Sequence, residues 1–227
     1  MARTHFVREL QRLQDEILLL GSMVRQALQD SVTALRERDF AASKRIIAYD
    51  REVNAKRFAI EDAALSLLAT QQPMAGDLRL LAAILELSGE LERIGDYAKG
   101  ISRINLMLGH EPLVKPLVEI PQMCDKVADM LRRALDAFIA QDVEAARQIP
   151  LEDDTIDAWY NSINSELIDI VAKNPSLLDR ANYLSWVAHN LERAGDRVTN
   201  ICERVIYTVT GDLVEFDAEE PLLSGTN

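Results

Sequence analysis

The sequence predicts an all-α protein built as two tandem, pseudo-symmetric antiparallel three-helix bundles. Three observations predict it. Apolar residues recur at alternating steps of three and four, as at Ile84, Leu87, Leu91, Ile94, Ala98 and Ile101, which is the heptad seam of a long helix. Shifted by 100 residues, the same seam returns without a gap at Leu184, Val187, Leu191, Ala194, Val198 and Ile201. A hydrophobic fraction of 48% beside only 9 Gly, 7 Pro and 5% aromatic residues favours helices.

Six helical segments follow from the punctuation. The first runs to Asp39, which opens the second; Gln72-Pro73 closes that one, and the third ends at the Gly109 to Pro116 run. The fourth runs to Asp142, the fifth to Asn174-Pro175 and the sixth to Gly211. In the earlier parts of each half the repeat offset becomes 103, so that Leu35 to Asp39 faces Phe138 to Asp142, and Asp50 with Asn54 faces Asp153 with Asp157. Each half therefore reads as helix, turn, helix, turn, helix, which packs most simply as an antiparallel bundle. The expected organisation is a first bundle over residues 1–108, a linker over 109–116, a second bundle over 117–211 and a flexible acidic tail over 212–227.

Composition excludes several functions. A net charge of −12 argues against nucleic acid, whose phosphates need clustered Lys and Arg. The same charge suits cations or basic protein surfaces. Cys124 and Cys202 stand alone in separate helical segments, as expected of reduced thiols in the cytoplasm and not of a zinc site or a redox pair. The first ten residues include Glu9 and lack the apolar run of a secretion signal. The most apolar stretches, 17–20 and 80–87, fall short of the roughly 18 to 20 residues of a membrane span. Membrane association is expected only through partners.

The residues that invite chemistry are carboxylates. Leu91 to Asp96 and Leu191 to Asp196 spell the same motif, Leu-Glu-Arg-x-Gly-Asp, differing only at Ile94 and Ala194. Residues four apart share a helix face, so Glu92 with Asp96, and Glu192 with Asp196, point the same way at the margin of an apolar seam. Like charges at this spacing cost a helix about 0.2–0.5 kcal/mol when exposed and more when desolvated. Something positive must compensate: Arg93 and Arg193, or a hard or borderline cation such as Mg²⁺, Mn²⁺ or iron. A single such pair is usually a solvated or arginine-paired surface feature; its recurrence in the same phase is what raises cation binding as an alternative.

Gly95 and Gly195 recur inside the motif although an interior helix Gly is about 0.8–1 kcal/mol worse than Ala, which points to a close approach by another helix or by a ligand. A carboxylate-bridged metal enzyme or a metal-storage protein is the competing function, but the counterpart of His189 is Gly89, so the paired Glu-x-x-His of di-iron bundles is missing. His189 reads as a structural or surface histidine, and Trp159 and Trp186 as core or interhelix fillers. No nucleophile elbow, phosphate loop or zinc spacing is present, and no organic cofactor is expected.

Together the two Leu-Glu-Arg-x-Gly-Asp motifs, Gln72 to Arg79 (Gln-Pro-Met-Ala-Gly-Asp-Leu-Arg) and Asn200 to Gly211 resemble the PhoU family over about residues 5–212. The resemblance implies a cytoplasmic, non-enzymatic regulator of phosphate uptake. In such a role it links the ATPase subunit of the phosphate ABC transporter to the phosphate-sensing histidine kinase and represses starvation genes when phosphate is plentiful. It also implies a homodimer, and iron or zinc clusters held by acidic motifs on the second and third helices of each bundle. The matching positions are Asp50, Asn54, Glu92 and Asp96, then Asp153, Asp157, Glu192 and Asp196. Asn54 offers only a neutral oxygen, which implies a weaker first site; Pro150, one turn before Asp153, is expected to kink the fifth helix.

Overall fold

The computed structural model describes residues 2–216, and among them there is no strand. The chain forms α1 (Ala2–Glu37), α2 (Phe40–Gln71), α3 (Gly76–Leu108), α4 (Glu119–Ala140), α5 (Val143–Gln148), α6 (Asp153–Lys173) and α7 (Leu178–Thr210). Short 3-10 turns at Pro150–Glu152 and Pro175–Leu177 precede α6 and α7. Helices α1 to α3 make one half and α4 to α7 the other.

Pro150 does more than kink the fifth helix; it divides that helix into α5 and α6. Proline has no N–H to continue the ladder, so the chain tightens into a 3-10 turn in which the Asp153 N–H bonds the Pro150 carbonyl. Asp153 thereby becomes the first residue of α6.

The duplication extends to the backbone of the first turn in each half. Arg38 and Gln141 both adopt positive φ, 58° and 54°, ending α1 and α4. Immediately after them Asp39 Oδ1 accepts from the Ala42 N–H at 2.8 Å, and Asp142 Oδ1 from the Ala145 N–H at 3.0 Å. A side-chain acceptor satisfies an amide that the new helix leaves without a partner, and so fixes where α2 and α5 begin.

The seams lie where the heptads place them. Leu87, Leu91, Ile94, Ala98 and Ile101 of α3 are fully buried, as are Val187, Leu191, Ala194, Val198 and Ile201 of α7. Each Val, Leu or Ile among them contributes about 1.5–3 kcal/mol by leaving water. Helices α2 and α6 lie outside and bury only a narrow stripe: Val53, Ile60, Ala64 and Leu67 in one, Ile156, Ile163 and Leu167 in the other. One continuous apolar core runs through both halves.

Between the halves the two central helices cross antiparallel, and polar contacts mark the register. Arg197 and Asn200 of α7 reach Glu90 of α3 at 3.2 and 3.1 Å, and Asn190 Oδ1 lies 3.2 Å from where a Cβ would sit on Gly100. The connection to α4 is packed down. The Arg38 guanidinium donates to Asn105 Oδ1 at 2.8 Å and to the carbonyls of Gly109 and Glu111, while Lys115 is nearly buried between Glu119 and Glu166.

Beyond α7, the Phe216 N–H bonds Glu203 Oε1 at 3.0 Å, and Val214 and Phe216 pack against the core. The rest of the expected acidic tail, residues 217–227, lies outside the described residues. Trp159 is half-buried against the core as expected, but Trp186 is 51% exposed and fills no core position; its ring stands edge-on to Tyr183 on the surface of α7.

Candidate functional site

Each motif is positioned by the seam that precedes it. Leu91 and Leu191 are fully buried, so Glu92 and Glu192, one residue further round, lie at the rim of the core with side chains 15% and 21% exposed. Gly95 and Gly195 let the outer helices come close. A Cβ on Gly95 would stand 3.2 Å from Val53 Cγ1, and one on Gly195 3.2 Å from Ile156 Cδ1 and 2.4 Å from Asp153 Oδ1. Close helix approach, with a carboxylate seated on the glycine in the second half, therefore accounts for both glycines.

In the first motif Asp50, Glu92 and Asp96 share one rim of α2 and α3. Lys99 Nζ donates to Asp50 Oδ2 at 2.7 Å and to Asp96 Oδ1 at 3.2 Å. Arg57 Nε donates to Glu61 Oε1 at 2.8 Å, and its Nη1 lies 3.5 Å from Glu92 Oε2. Asp50 Oδ1 is buried and accepts no hydrogen bond. Asn54 turns away, its amide donating to the Asp50 carbonyl of its own helix at 2.9 Å. Burial pushes the Glu92 carboxyl above the ordinary range, Asp96 adds to the rise, and Arg57 opposes it. The hydrogen bond to Asp50 holds the Lys99 ammonium above its ordinary value against the pull of burial.

The second motif has the same carboxylates in another setting. Arg193 Nη1 lies 2.7 Å from Asp196 Oδ2, and His189 Nδ1 lies 3.2 Å from Glu192 Oε2. Asp153 rests against the Gly195 backbone, and Asp157, one turn along α6, is exposed. Burial again raises Glu192, followed by Asp196, with His189 and Arg193 opposing and Asp157 adding. Arg193 also hydrogen-bonds Tyr97 of α3, which ties this motif to the other half.

Seven of the eight positions read from the sequence thus gather as two acidic rims, Asp50, Glu92 and Asp96 on one and Asp153, Asp157, Glu192 and Asp196 on the other; Asn54 joins neither. Among the described residues no three His, Cys, Asp or Glu side chains come together as a metal-holding group. Oxygen donors of this kind suit hard cations. In the first motif, however, the Lys99 ammonium already stands between two of the donors, so that set does not fit a metal as it is built. In the second, Asp153, Asp157, Glu192 and Asp196 are donors of the right chemical type, with Arg193 paired to Asp196 from the same helix.

Sequence reading missed Lys99, Arg57 and Glu61. Lys99 follows Asp96 by three residues and Arg57 follows Asn54 by three, so helix-face geometry could have found the two cations. Compensation was sought instead at Arg93, inside the motif.

Two internally repeated helical halves, each with a carboxylate rim and an inset glycine on its central helix, define a duplicated helical protein that presents paired acidic faces. The family described as the PhoU domain matches residues 17–104 and again residues 120–205, one match to each half. The chain belongs to the PhoU family.

It is 35% identical over 209 residues to the phosphate-specific transport system accessory protein PhoU of Escherichia coli (strain K12), covering 91% of this chain and 86% of that one. To the corresponding homologue of Clostridium acetobutylicum it is 34% identical, covering 96% of this chain and all of the relative. Its fold is similar to the crystal structure of PhoU from Pseudomonas aeruginosa, with a TM-score of 0.87 at 32% identity over 91% of this chain and 100% of that one. It is likewise similar to the phosphate transport system regulatory protein PhoU from Streptococcus pneumoniae, with a TM-score of 0.86 at 31% identity over 92% and 99% of the two chains.

Proposed function

We propose that this protein is a cytoplasmic accessory regulator of phosphate uptake. It acts as an adaptor between the ATPase subunit of a phosphate ABC transporter and a phosphate-sensing histidine kinase, and it holds starvation genes silent while phosphate is plentiful. The observation that carries the reading is the 35% identity, over 91% of the chain, with a relative named for its accessory role in phosphate-specific transport. The fold agrees with an adaptor: a single apolar core joins the halves into one body whose long outer helices offer surface for partners.

No helix among the described residues is long and apolar enough to cross a membrane. With a net charge of −12, the partner surfaces are basic. The protein binds and does not catalyse, and it pairs with a second copy of itself. The second acidic motif, Asp153, Asp157, Glu192 and Asp196, takes a cation, which would add there to the positive charge of Arg193 and His189.

Deleting the gene tests the adaptor role. Phosphate-starvation genes are expected to switch on in phosphate-rich medium, and expression that stays silent would overturn the reading. Affinity capture from cells grown in high phosphate is expected to bring down the ATPase subunit and the kinase together.

A further inference from the structure

The two motifs share their carboxylates and differ in their cations. The offset of 100 that aligns α3 with α7 puts Thr199 where the first half has Lys99; the offset of 103 that aligns α2 with α6 puts Tyr160 where it has Arg57. Packing confirms this correspondence, since Gly95 meets Val53 and Gly195 meets Ile156, residues that are themselves 103 apart. The second half therefore has neither cation at these positions. Thr199 is 1% exposed and its hydroxyl makes no hydrogen bond, while the Tyr160 ring lies 6.1 Å from that of His189.

The cations that the second half does have sit differently. Arg193 and His189 belong to the motif helix itself, and their side chains are 41% and 54% exposed. Lys99 and Arg57 are 21% and 27% exposed, and each bridges α2 and α3. Lys99 joins Asp50 of the outer helix to Asp96 of the central one, and Arg57 joins the outer helix to Glu92.

An ammonium with three N–H donors can satisfy two carboxylates at once, and being covalently attached it cannot be lost to a chelator. A divalent ion entering the same rim would meet the Lys99 charge at contact distance, where like charges repel strongly. It would also have to strip Asp50, 10% exposed, of the Lys99 ammonium.

We propose that the first acidic motif carries its own cation: Lys99, assisted by Arg57, does there what a bound metal would do, and this half of the protein takes up no divalent metal while Lys99 is present. The two repeats are thus a self-neutralised copy and a copy left for an external cation. The first statement stands whether or not the second motif binds metal.

The test uses the full chain, freed of metal with chelator, and Mn²⁺ as the probe. Glu192→Gln with Asp196→Asn silences the second motif, so that binding measured by equilibrium dialysis reports the first alone, and comparison with the unaltered chain reads the second separately. In this background no Mn²⁺ is expected to bind and Mn²⁺ is expected to leave the melting temperature unchanged. Adding Lys99→Thr and Arg57→Tyr, the residues that the second half has at these positions, is expected to create binding of a single Mn²⁺ per chain, roughly a hundredfold tighter than the background, from the loss of like charge at close range. Mn²⁺ is then expected to raise the melting temperature.

Lys99→Gln keeps a donor for Asp50 while removing the charge, and it carries the same expectation should the double change melt the helices. Mn²⁺ binding in the background that is lost on Asp50→Asn would overturn the proposal. So would folded Lys99 variants that gain no Mn²⁺ binding.

Discussion

Replacing Gly95 by Ala tests the close approach of α2 to the motif helix, and Gly89→Ala supplies its control. Both glycines lie inside α3, so both gain about 0.8–1 kcal/mol of helix propensity on becoming Ala. At Gly89 a new Cβ meets nothing within 4 Å. At Gly95 it would stand 3.2 Å from Val53 Cγ1 and 3.4 Å from Val24 Cγ1, side chains that are 1% and 0% exposed. Both are β-branched and held in one rotamer on a helix, so neither can swing aside; overpacking of this kind costs about 1–3 kcal/mol. Gly89→Ala is therefore expected to stabilise by about 1 kcal/mol, and Gly95→Ala to destabilise by about 0–2 kcal/mol. At about 2–4 °C per kcal/mol for a chain of this size, thermal melting followed by circular dichroism resolves the gap. If Gly95→Ala melts as high as Gly89→Ala, α2 does not press on Gly95 and the explanation of the repeated pair of glycines as packing sites is wrong.

Removing the cap carboxylate in Asp39→Ala or Asp142→Ala is expected to cost about 0.5–2 kcal/mol each in urea unfolding; no loss at either would show that the turn does not need its side-chain acceptor. Burial, and then Asp196, raise the Glu192 carboxyl, so the folded protein keeps that proton at a pH where the unfolded chain has lost it. Its contribution is full below the ordinary glutamate range and is lost as pH rises through the raised value, so Glu192→Gln is expected to gain on the parent protein between about pH 4 and about pH 7. An equal difference in unfolding free energy at both pH values would contradict this. Burial pushes the Cys124 and Cys202 thiols up to about 12, and a thiol reagent at neutral pH is expected to label neither until the protein unfolds; labelling of the native chain would refute their burial.

The two halves and the seams were legible because burial imposes a period, and the period runs along α3 and α7; the expected six helices became seven because the fifth is divided. The division of the fifth helix was half legible. Pro150 announces a lost hydrogen bond, but whether the chain bends or stops depends on the 3-10 turn that Glu152 and Asp153 complete. Trp186 was misplaced because an aromatic residue one position before a seam residue, here Val187, can lie on either side of the rim, and only the packing of α7 against α3 decides which. Lys99 and Arg57 could be found along their own helices, beside Asp96 and Glu61, but their bridges to Asp50 and Glu92 on the helix opposite depend on how α2 packs against α3.

That last difference explains how two copies of one motif can diverge while keeping their letters. Leu91, Gly95, Leu191 and Gly195 are buried, and Gly95 and Gly195 each press on a facing side chain, so a change at any of them must be matched across the core. Lys99 and Arg57 lie at the rim, where Thr and Tyr can replace them without disturbing the seam. The carboxylates are tied to the seam by helix geometry and the counter-charges are not. A duplicated bundle is therefore free to keep its acidic rims and still give them different sources of positive charge, Lys99 and Arg57 bridging two helices in one and Arg193 and His189 of the motif helix itself in the other, which makes the rim residues outside the carboxylates the place to look for a difference in function between the halves.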